Sequence, residues 1–174
     1  LEKGDGLPGP QPEIAQRYWR LAANHGNAFA QVEFADKLRN GLLLVKEEYG
    51  ESEVVTMLTR AMSQGSAHAA VALAQIYRKG ELGEDKNPIK AMELAYHAVD
   101  LAVLADPTTL DGNPYYEFNA AHLLVEMAKG GEAADALGRP LLTPEEVDRL
   151  ERYYGAVDPT TKQVKLRGFK MPIY

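Results

Sequence analysis

Apolar residues in this chain recur at the spacing of a helix face, and the pattern itself repeats. Residues 27–41, NAFAQVEFADKLRNG, overlay residues 66–80, SAHAAVALAQIYRKG, position for position. Ala28, Ala30, Phe34, Ala35, Leu38 and Gly41 become Ala67, Ala69, Leu73, Ala74, Tyr77 and Gly80, all at one constant displacement. A fixed period of about 39 residues marks a solenoid of repeated units. Small residues at Ala28, Ala30 and Ala35, beside larger ones at Phe34 and Leu38, predict a helix with a narrow face that another helix can approach closely. Gly41 and Gly80 predict where it stops, because a residue tolerating positive φ suits the position just past a helix end. Residues 54–65, VVTMLTRAMSQG, predict a second helix, with Val54, Met57, Leu58, Ala61 and Met62 at helical spacing and Gly65 after them. One unit is therefore a helix hairpin.

The rest of the chain varies this theme. Residues 42–52 form a loop in which Leu42, Leu43, Leu44 and Val45 either extend the helix or cap the core. Residues 80–88, GELGEDKNP, are the corresponding loop of the next unit, with Asp85 and Asn87 as turn and cap residues and Pro88 at a first helical position. After Val99 the register changes: residues 103–113 contain Pro107 and the turn signal Asp111-Gly112. The helix expected over 114–131 is a degenerate first helix at a longer displacement, so that Leu73, Ala74, Tyr77 and Gly80 become Leu123, Leu124, Met127 and Gly130. GEAADALGRP, 131–140, reads as a flexible or weakly helical link. TPEEVDRLERYYG, 143–155, opens with a capping box from Thr143 to Glu146 and has Pro144 at its first helical position. The final stretch does not repeat: Val164 and Leu166 alternate with charges, as in an extended segment. Lys162, Lys165, Arg167 and Lys170 against Asp158 make that tail basic, so it either lies back across the acidic body or reaches a partner.

The run A-x-A-Q-x-x-F-A-x-x-L-x-x-G at 28–41, and the matching run at 67–80, resemble the first helix of Sel-one-like repeats, relatives of the tetratricopeptide repeats that abound in bacteria. The second helix of that family resembles IAQRYWRLAANHG at 14–26, where Ala15, Tyr18, Trp19, Ala22, Ala23 and Gly26 fall on the pattern, and KAMELAYHAV at 90–99. Val54 stands where the family has alanine, and Leu94 and Ala95 replace its aromatic pair. The resemblance covers roughly residues 4–102 and fades beyond, by its fixed-period pattern. It implies an all-α fold, an α-α superhelix in which antiparallel helix pairs stack as a right-handed solenoid. Residues 1–142 would hold about three to four repeats, the first incomplete and the last degenerate. Residues 143–174 would supply a C-terminal capping helix and the extended basic tail, since terminal repeats meet water on one side and depart from the consensus. The chain opens inside a repeat, which leads us to expect a fragment or a matured form of a longer protein, with Tyr18 and Trp19 less covered than in a middle repeat.

Composition narrows the class. A hydrophobic fraction of 45% in 174 residues is ample for one core-forming domain. A net charge of −6 argues against nucleic acid or an anionic membrane as partner. The absence of cysteine excludes disulfides, thiolate metal sites and a cysteine nucleophile, and leaves bacterial cytoplasm and periplasm both open. No window of about 18 consecutive apolar residues exists to span a membrane.

Catalytic signals are weak. Gly4, Gly6 and Gly9 spell G-x-G-x-x-G, yet no strand precedes them and Pro8, Pro10 and Pro12 remove backbone donors that a phosphate would need. Gly4 precedes Ala15 by the same interval as Gly80 precedes Ala91, which makes the stretch a loop between repeat helices. Adjacent Glu47 and Glu48 point apart and read as solvated charge. Glu81, Glu84 and Asp85 lack the alternating spacing of a calcium loop. His25 sits at a helix end, where an imidazolium favours the dipole. His97 follows Glu93, and His122 precedes Glu126, at the i,i+4 spacing that pairs side chains on one helix face. No zinc-hydrolase, serine-hydrolase or P-loop motif is present, and Ser63 and Ser66 have no base at fixed spacing. The expectation is no enzyme, no cofactor and no bound metal.

In the superfamily that the chain resembles, first helices line the concave face. Tracking by the repeat period, and then by the longer displacement to the degenerate helix, places Phe29, His68 and Phe118 in one column. Glu33, Ala72 and His122 fall in the next, and Asp36, Gln75 and Val125 in a third. Together with Glu126, the residues Phe29, Glu33, Asp36, His68, Gln75, Phe118 and His122 form the expected partner-binding surface, with Phe29 and Phe118 packed on loops as the competing possibility. The resemblance implies a protein-binding module, an adaptor or envelope scaffold, or an immunity protein that neutralises a secreted toxin. A cell-wall or β-lactam hydrolase is the rival from a different class. The expected state is a monomer or a weakly self-associating species.

Overall fold

The computed structural model describes residues 12–42, 51–104, 114–132, 134 and 138–156, with side chains at all of these except 51, 103, 104, 114–118 and 153–156. The fold is all-α. The described residues form α1 (Pro12–Asn24), α2 (Ala28–Arg39), α3 (Glu51–Ser63), α4 (Ala67–Lys79), α5 (Pro88–Leu104), α6 (Pro114–Lys129) and α7 (Pro144–Ala156). An isolated antiparallel bridge between Ala134 and Pro140 is the one β-type pairing among them. Each helix packs on its neighbour in sequence, and α4 also packs directly on α6.

Local chemistry sets the helix ends at the expected period. Asn27 caps α2 by accepting a 2.8 Å bond from the Ala30 amide, and Ser66, one period on, caps α4 through the Ala69 amide at 3.3 Å. Such caps satisfy amide groups that a helix N-terminus leaves unpaired. Asn87 caps α5 by the same means, through the Lys90 amide at 3.0 Å. Gly80 ends α4 in the left-handed region at φ 71°, and its amide donates 2.8 Å to the Ile76 carbonyl. At α7 both arms of the expected capping box form: the Thr143 amide donates 2.7 Å to Glu146 Oε2 and the Glu146 amide donates 3.2 Å to Thr143 Oγ1.

The main core runs from α2 to α7. Leu58, Ile76, Leu124 and Met127 are fully buried in it, and the small residues Ala69, Ala70 and Ala74 let helix backbones come close to α4. A second cluster joins α1, α2 and α3 through Ala23, Ala30, Phe34 and Met57, with Trp19 packed against it. The buried Gln31 ties these helices together by polar bonds. Its amide donates 3.2 Å to the Ala23 carbonyl at the end of α1, and its oxygen accepts 3.1 Å from Gln64 just past α3. Pairing at both ends offsets the desolvation of a carboxamide.

Three details refine the sequence reading. Helix α5 continues to Leu104, past the change of register read after Val99, because Ala98, Val99 and Ala102 keep one buried face. The link after α6 is held at Glu132 and by the Ala134–Pro140 bridge. Leu42 is 65% exposed and so does not cap the core, while Leu43, Leu44 and Val45 lie outside the described residues. So do the G-x-G-x-x-G stretch, Glu47, Glu48 and the tail after 156. Tyr18 is 59% exposed and Trp19 half-buried.

Candidate functional site

A groove of about 710 Å³ opens beside α2, α4 and α6. Its size falls in the range of ligand-binding clefts. Asp36 and Arg39 reach it from the last turn of α2 and Asn40 from the C-cap that follows; His68, Gln75 and Lys79 reach it from α4. Val71, Ala72 and Leu82 supply apolar surface, Glu81 stands at the rim and Asn119 enters from α6. Helical period explains the set on α4: His68, Val71, Ala72, Gln75 and Lys79 are spaced three or four apart and share a face.

The charges in the groove are spent on one another. His68 Nε2 lies 3.1 Å from Asp36 Oδ2, linking α4 to α2. Arg39 Nε donates 3.0 Å to Glu81 Oε2, with Nη2 2.8 Å from the same oxygen, while Nη1 donates 3.2 Å to Gln75 Oε1. Lys79 Nζ stands 3.4 Å from the other Glu81 oxygen. Burial disfavours the Glu81 carboxylate, but the hydrogen bond and charge of Arg39, with Lys79, outweigh it and hold the group below the ordinary carboxylate range. With the imidazole neutral, Asp36, Arg39, Lys79 and Glu81 sum to zero, on a chain whose net charge is −6.

A second arginine repeats the arrangement one unit further on. Arg78, one period after Arg39, makes a two-pronged contact with Glu132, Nε to Oε2 at 3.0 Å and Nη2 to Oε1 at 2.7 Å. Its Nη1 donates 3.0 Å to Glu126 Oε2. Arg39 thus leaves the last turn of α2 and grips α4 and the residues after it, as Arg78 leaves α4 and grips α6 and the residues after it. Hydrogen bonds to Glu132, working against burial, push the Arg78 guanidinium further toward its charged form. Arg78 in turn holds Glu132 below the ordinary carboxylate range, overcoming burial. Planar bidentate pairs of this kind fix orientation as well as supply energy.

Of the residues expected on the partner-binding surface, Asp36, His68 and Gln75 meet in the groove. Glu33 is half-buried on α2. Phe29 turns instead to α1: its ring meets Trp19 edge-on, centroids 5.5 Å apart at 62°, and it remains 41% exposed. An aromatic partner on the preceding helix takes Phe29 where the columns put a free contact, and where the competing reading put a loop. His122 and Glu126 sit on one face of α6, His122 Nδ1 lying 3.9 Å from Glu126 Oε2, with Glu126 also engaged by Arg78. The Phe118 side chain lies outside the described residues. The repeat columns do not single out Arg39, Asn40, Lys79, Glu81 or Asn119. The shared register of Arg39 and Arg78 is the available signal, but a charge in a last helical turn also reads as dipole complementarity.

Among the described residues no cluster of three or more acidic or imidazole groups could hold a metal ion, and no helix is long and apolar enough to cross a membrane. No family model matches the chain, and no curated protein or solved structure matches it.

Proposed function

We propose that this chain is a non-catalytic protein-binding module, a right-handed solenoid of Sel-one-like repeats that holds a protein partner on the face carried by α2, α4 and α6 and is closed by α7. The observation that carries the reading is the groove, where Asp36 on α2 and His68 and Gln75 on α4 converge beside Arg39, Lys79 and Glu81. Support for the repeat architecture comes from neighbour-to-neighbour helix packing and from the recurrence, one period apart, of Asn27 and Ser66 as caps and of Arg39 and Arg78 as clamps. The groove's chemistry suits holding better than catalysis. Asp36 is engaged by the His68 imidazole and Glu81 by Arg39 and Lys79, and no serine, threonine or cysteine is among the described residues that line it.

Within the binding class, the specific form we favour is an immunity protein, in which the acidic net charge steers a basic toxin surface toward the groove. An adaptor or envelope scaffold is the equal alternative. Capture on the immobilised chain at two salt concentrations, with partners identified by mass spectrometry, separates them. One stoichiometric partner carrying a secreted enzymatic domain, released by salt, supports immunity. Several salt-insensitive partners support an adaptor, and conversion of a cell-wall fragment or a β-lactam would overturn the non-catalytic reading.

A structural role through self-association has its own observation. Ile14, Tyr18 and Leu21 are 39%, 59% and 52% exposed and follow one another at helical spacing along α1. Sedimentation of the chain across a concentration range tests this reading. A mass that rises for the native chain but not for the Tyr18→Ser/Leu21→Ser variant supports it; a constant mass excludes it.

A further inference from the structure

We propose that Asn40 is a site of spontaneous modification, where the Gly41 amide nitrogen displaces the side-chain amide and a carboxylate is added to the groove. Of six asparagines in the chain, Asn40 alone precedes a glycine; Asn24 precedes histidine, Asn27 and Asn119 precede alanine, and Asn87 and Asn113 precede proline. Attack on the side-chain carbonyl by the next residue's nitrogen is hindered by that residue's side chain, and it is barred in proline, which has no N–H. Glycine offers no obstacle. Both Asn40 and Gly41 are exposed, and a Cβ placed on Gly41 would meet nothing within 4 Å. Asn40 also lines the groove.

The repeat register explains why the pair stands here. Gly41 closes α2 at φ 65°, as Gly80 closes α4 at φ 71°, and a helix end favours glycine at that position. Lys79 precedes Gly80, Gln64 precedes Gly65 and His25 precedes Gly26, so α2 is the one described helix whose closing glycine follows asparagine. Three hydrogen bonds hold this end. Asn40 Nδ2 donates 2.8 Å to the Asp36 carbonyl, the Gly41 amide 3.1 Å to the Leu38 carbonyl and the Leu42 amide 2.8 Å to the Lys37 carbonyl. The first two must release before reaction, since they engage the leaving amide and the attacking nitrogen. An exposed helix end frays readily, so this gate slows the step without closing it.

The Gly41 nitrogen then gives its proton to water and bonds to Cγ; the Cγ–Nδ2 bond breaks, and the displaced amide nitrogen takes up a proton and leaves as ammonia. Water opens the cyclic imide at the side-chain carbonyl to give aspartate, or at the main-chain carbonyl to give isoaspartate. Either product loses the donor to the Asp36 carbonyl and sets a negative charge at the C-terminal end of α2, where the helix dipole disfavours it. It also adds one negative charge to a groove whose Asp36, Arg39, Lys79 and Glu81 sum to zero.

The test follows the full chain during incubation in neutral buffer, with and without guanidinium chloride. Cleavage at glutamates keeps Asn40 and Gly41 together in the fragment between Glu33 and Glu47, where mass spectrometry reads the exchange of amide for acid. The expected result is conversion at Asn40 ahead of every other asparagine and of Gln64, whose ring on Gly65 would be larger by an atom, with ammonia released in equal amount. The folded chain should convert within about tenfold of the denatured rate, as a frayed end allows. Asn40→Gln should abolish the new acidic species on ion exchange, and Asn40→Asp should co-elute with its aspartate component and lower Tm by about 1–4 °C. Asn40 left intact in the folded chain once the denatured chain has converted, an acidic species that persists in Asn40→Gln, or conversion spread evenly over the asparagines would overturn the inference.

Discussion

Replacing Arg78 by methionine removes the guanidinium while keeping most of the stem, and its cost follows from the two carboxylates that the guanidinium holds. Glu132 is bound by two prongs with side chains 21% and 26% exposed, whereas Glu126 is 47% exposed. Charge-assisted hydrogen bonds contribute about 1.5–3 kcal/mol and exposed ion pairs about 0–1 kcal/mol. Partial solvent access places the Glu132 contact at about 1–2 kcal/mol and the Glu126 contact below about 0.5 kcal/mol, after discounting for screening. The expected total, about 1–2.5 kcal/mol, lowers Tm by about 2–10 °C in a chain of this size. A double-mutant cycle in urea, pairing Arg78→Met with Glu132→Gln and separately with Glu126→Gln, resolves the two. Coupling to Glu132 should exceed coupling to Glu126 by at least about twofold, as the exposures dictate. Equal couplings, or a Glu132 coupling under about 0.3 kcal/mol, would refute the view that Arg78 clamps the residues after α6.

Other perturbations follow from the same framework. Glu81 and Glu132 are both held below their ordinary value of 4.5 in the folded state, so their stabilisation is complete above about pH 4.5 and is lost as pH falls through the lower folded values. Acid unfolding followed by circular dichroism should therefore steepen below that point, and less so in Arg78→Met. Leu58→Ala, at a fully buried core position, should cost about 2–5 kcal/mol in urea denaturation. Ser66→Ala should cost about 1 kcal/mol, and Ser66→Asp should recover most of it, since either side chain can accept from the Ala69 amide. Phe29→Ala should cost only about 0.5–1.5 kcal/mol through its contact with Trp19, visible as a shift in tryptophan emission.

The all-helical class and the helix ends were largely legible in the chain because helix period, caps and glycines all pointed one way. Asn27, Ser66 and Gly80 act locally, within a few residues of their own helix, and local signals survive in sequence. The capping box at Thr143 and Glu146 is of the same kind. The extent of α5 was not, since the apolar residues from Leu101 to Leu104 run on unbroken and lose the spacing that marks one helix face, although Ala102 still finds a buried position. The groove was legible only in part. The repeat period aligns positions from unit to unit, but side chains meet obliquely: Asp36 meets His68 and not its own counterpart Gln75, which is taken by Arg39. Long side chains such as Arg39 and Arg78 reach across helices, so their partners at Glu81 and Glu132 depend on how successive units pack, which no single window of sequence contains.

The central claim is that a partner sits on the face carried by α2, α4 and α6. Hydrogen–deuterium exchange of the chain, free and bound to the partner it captures, tests it most directly. The account expects new protection in 36–42, 67–82 and 119–126, with α1, α3 and the outer face of α5 unchanged. Protection confined to α1, α3 or α7 would contradict it.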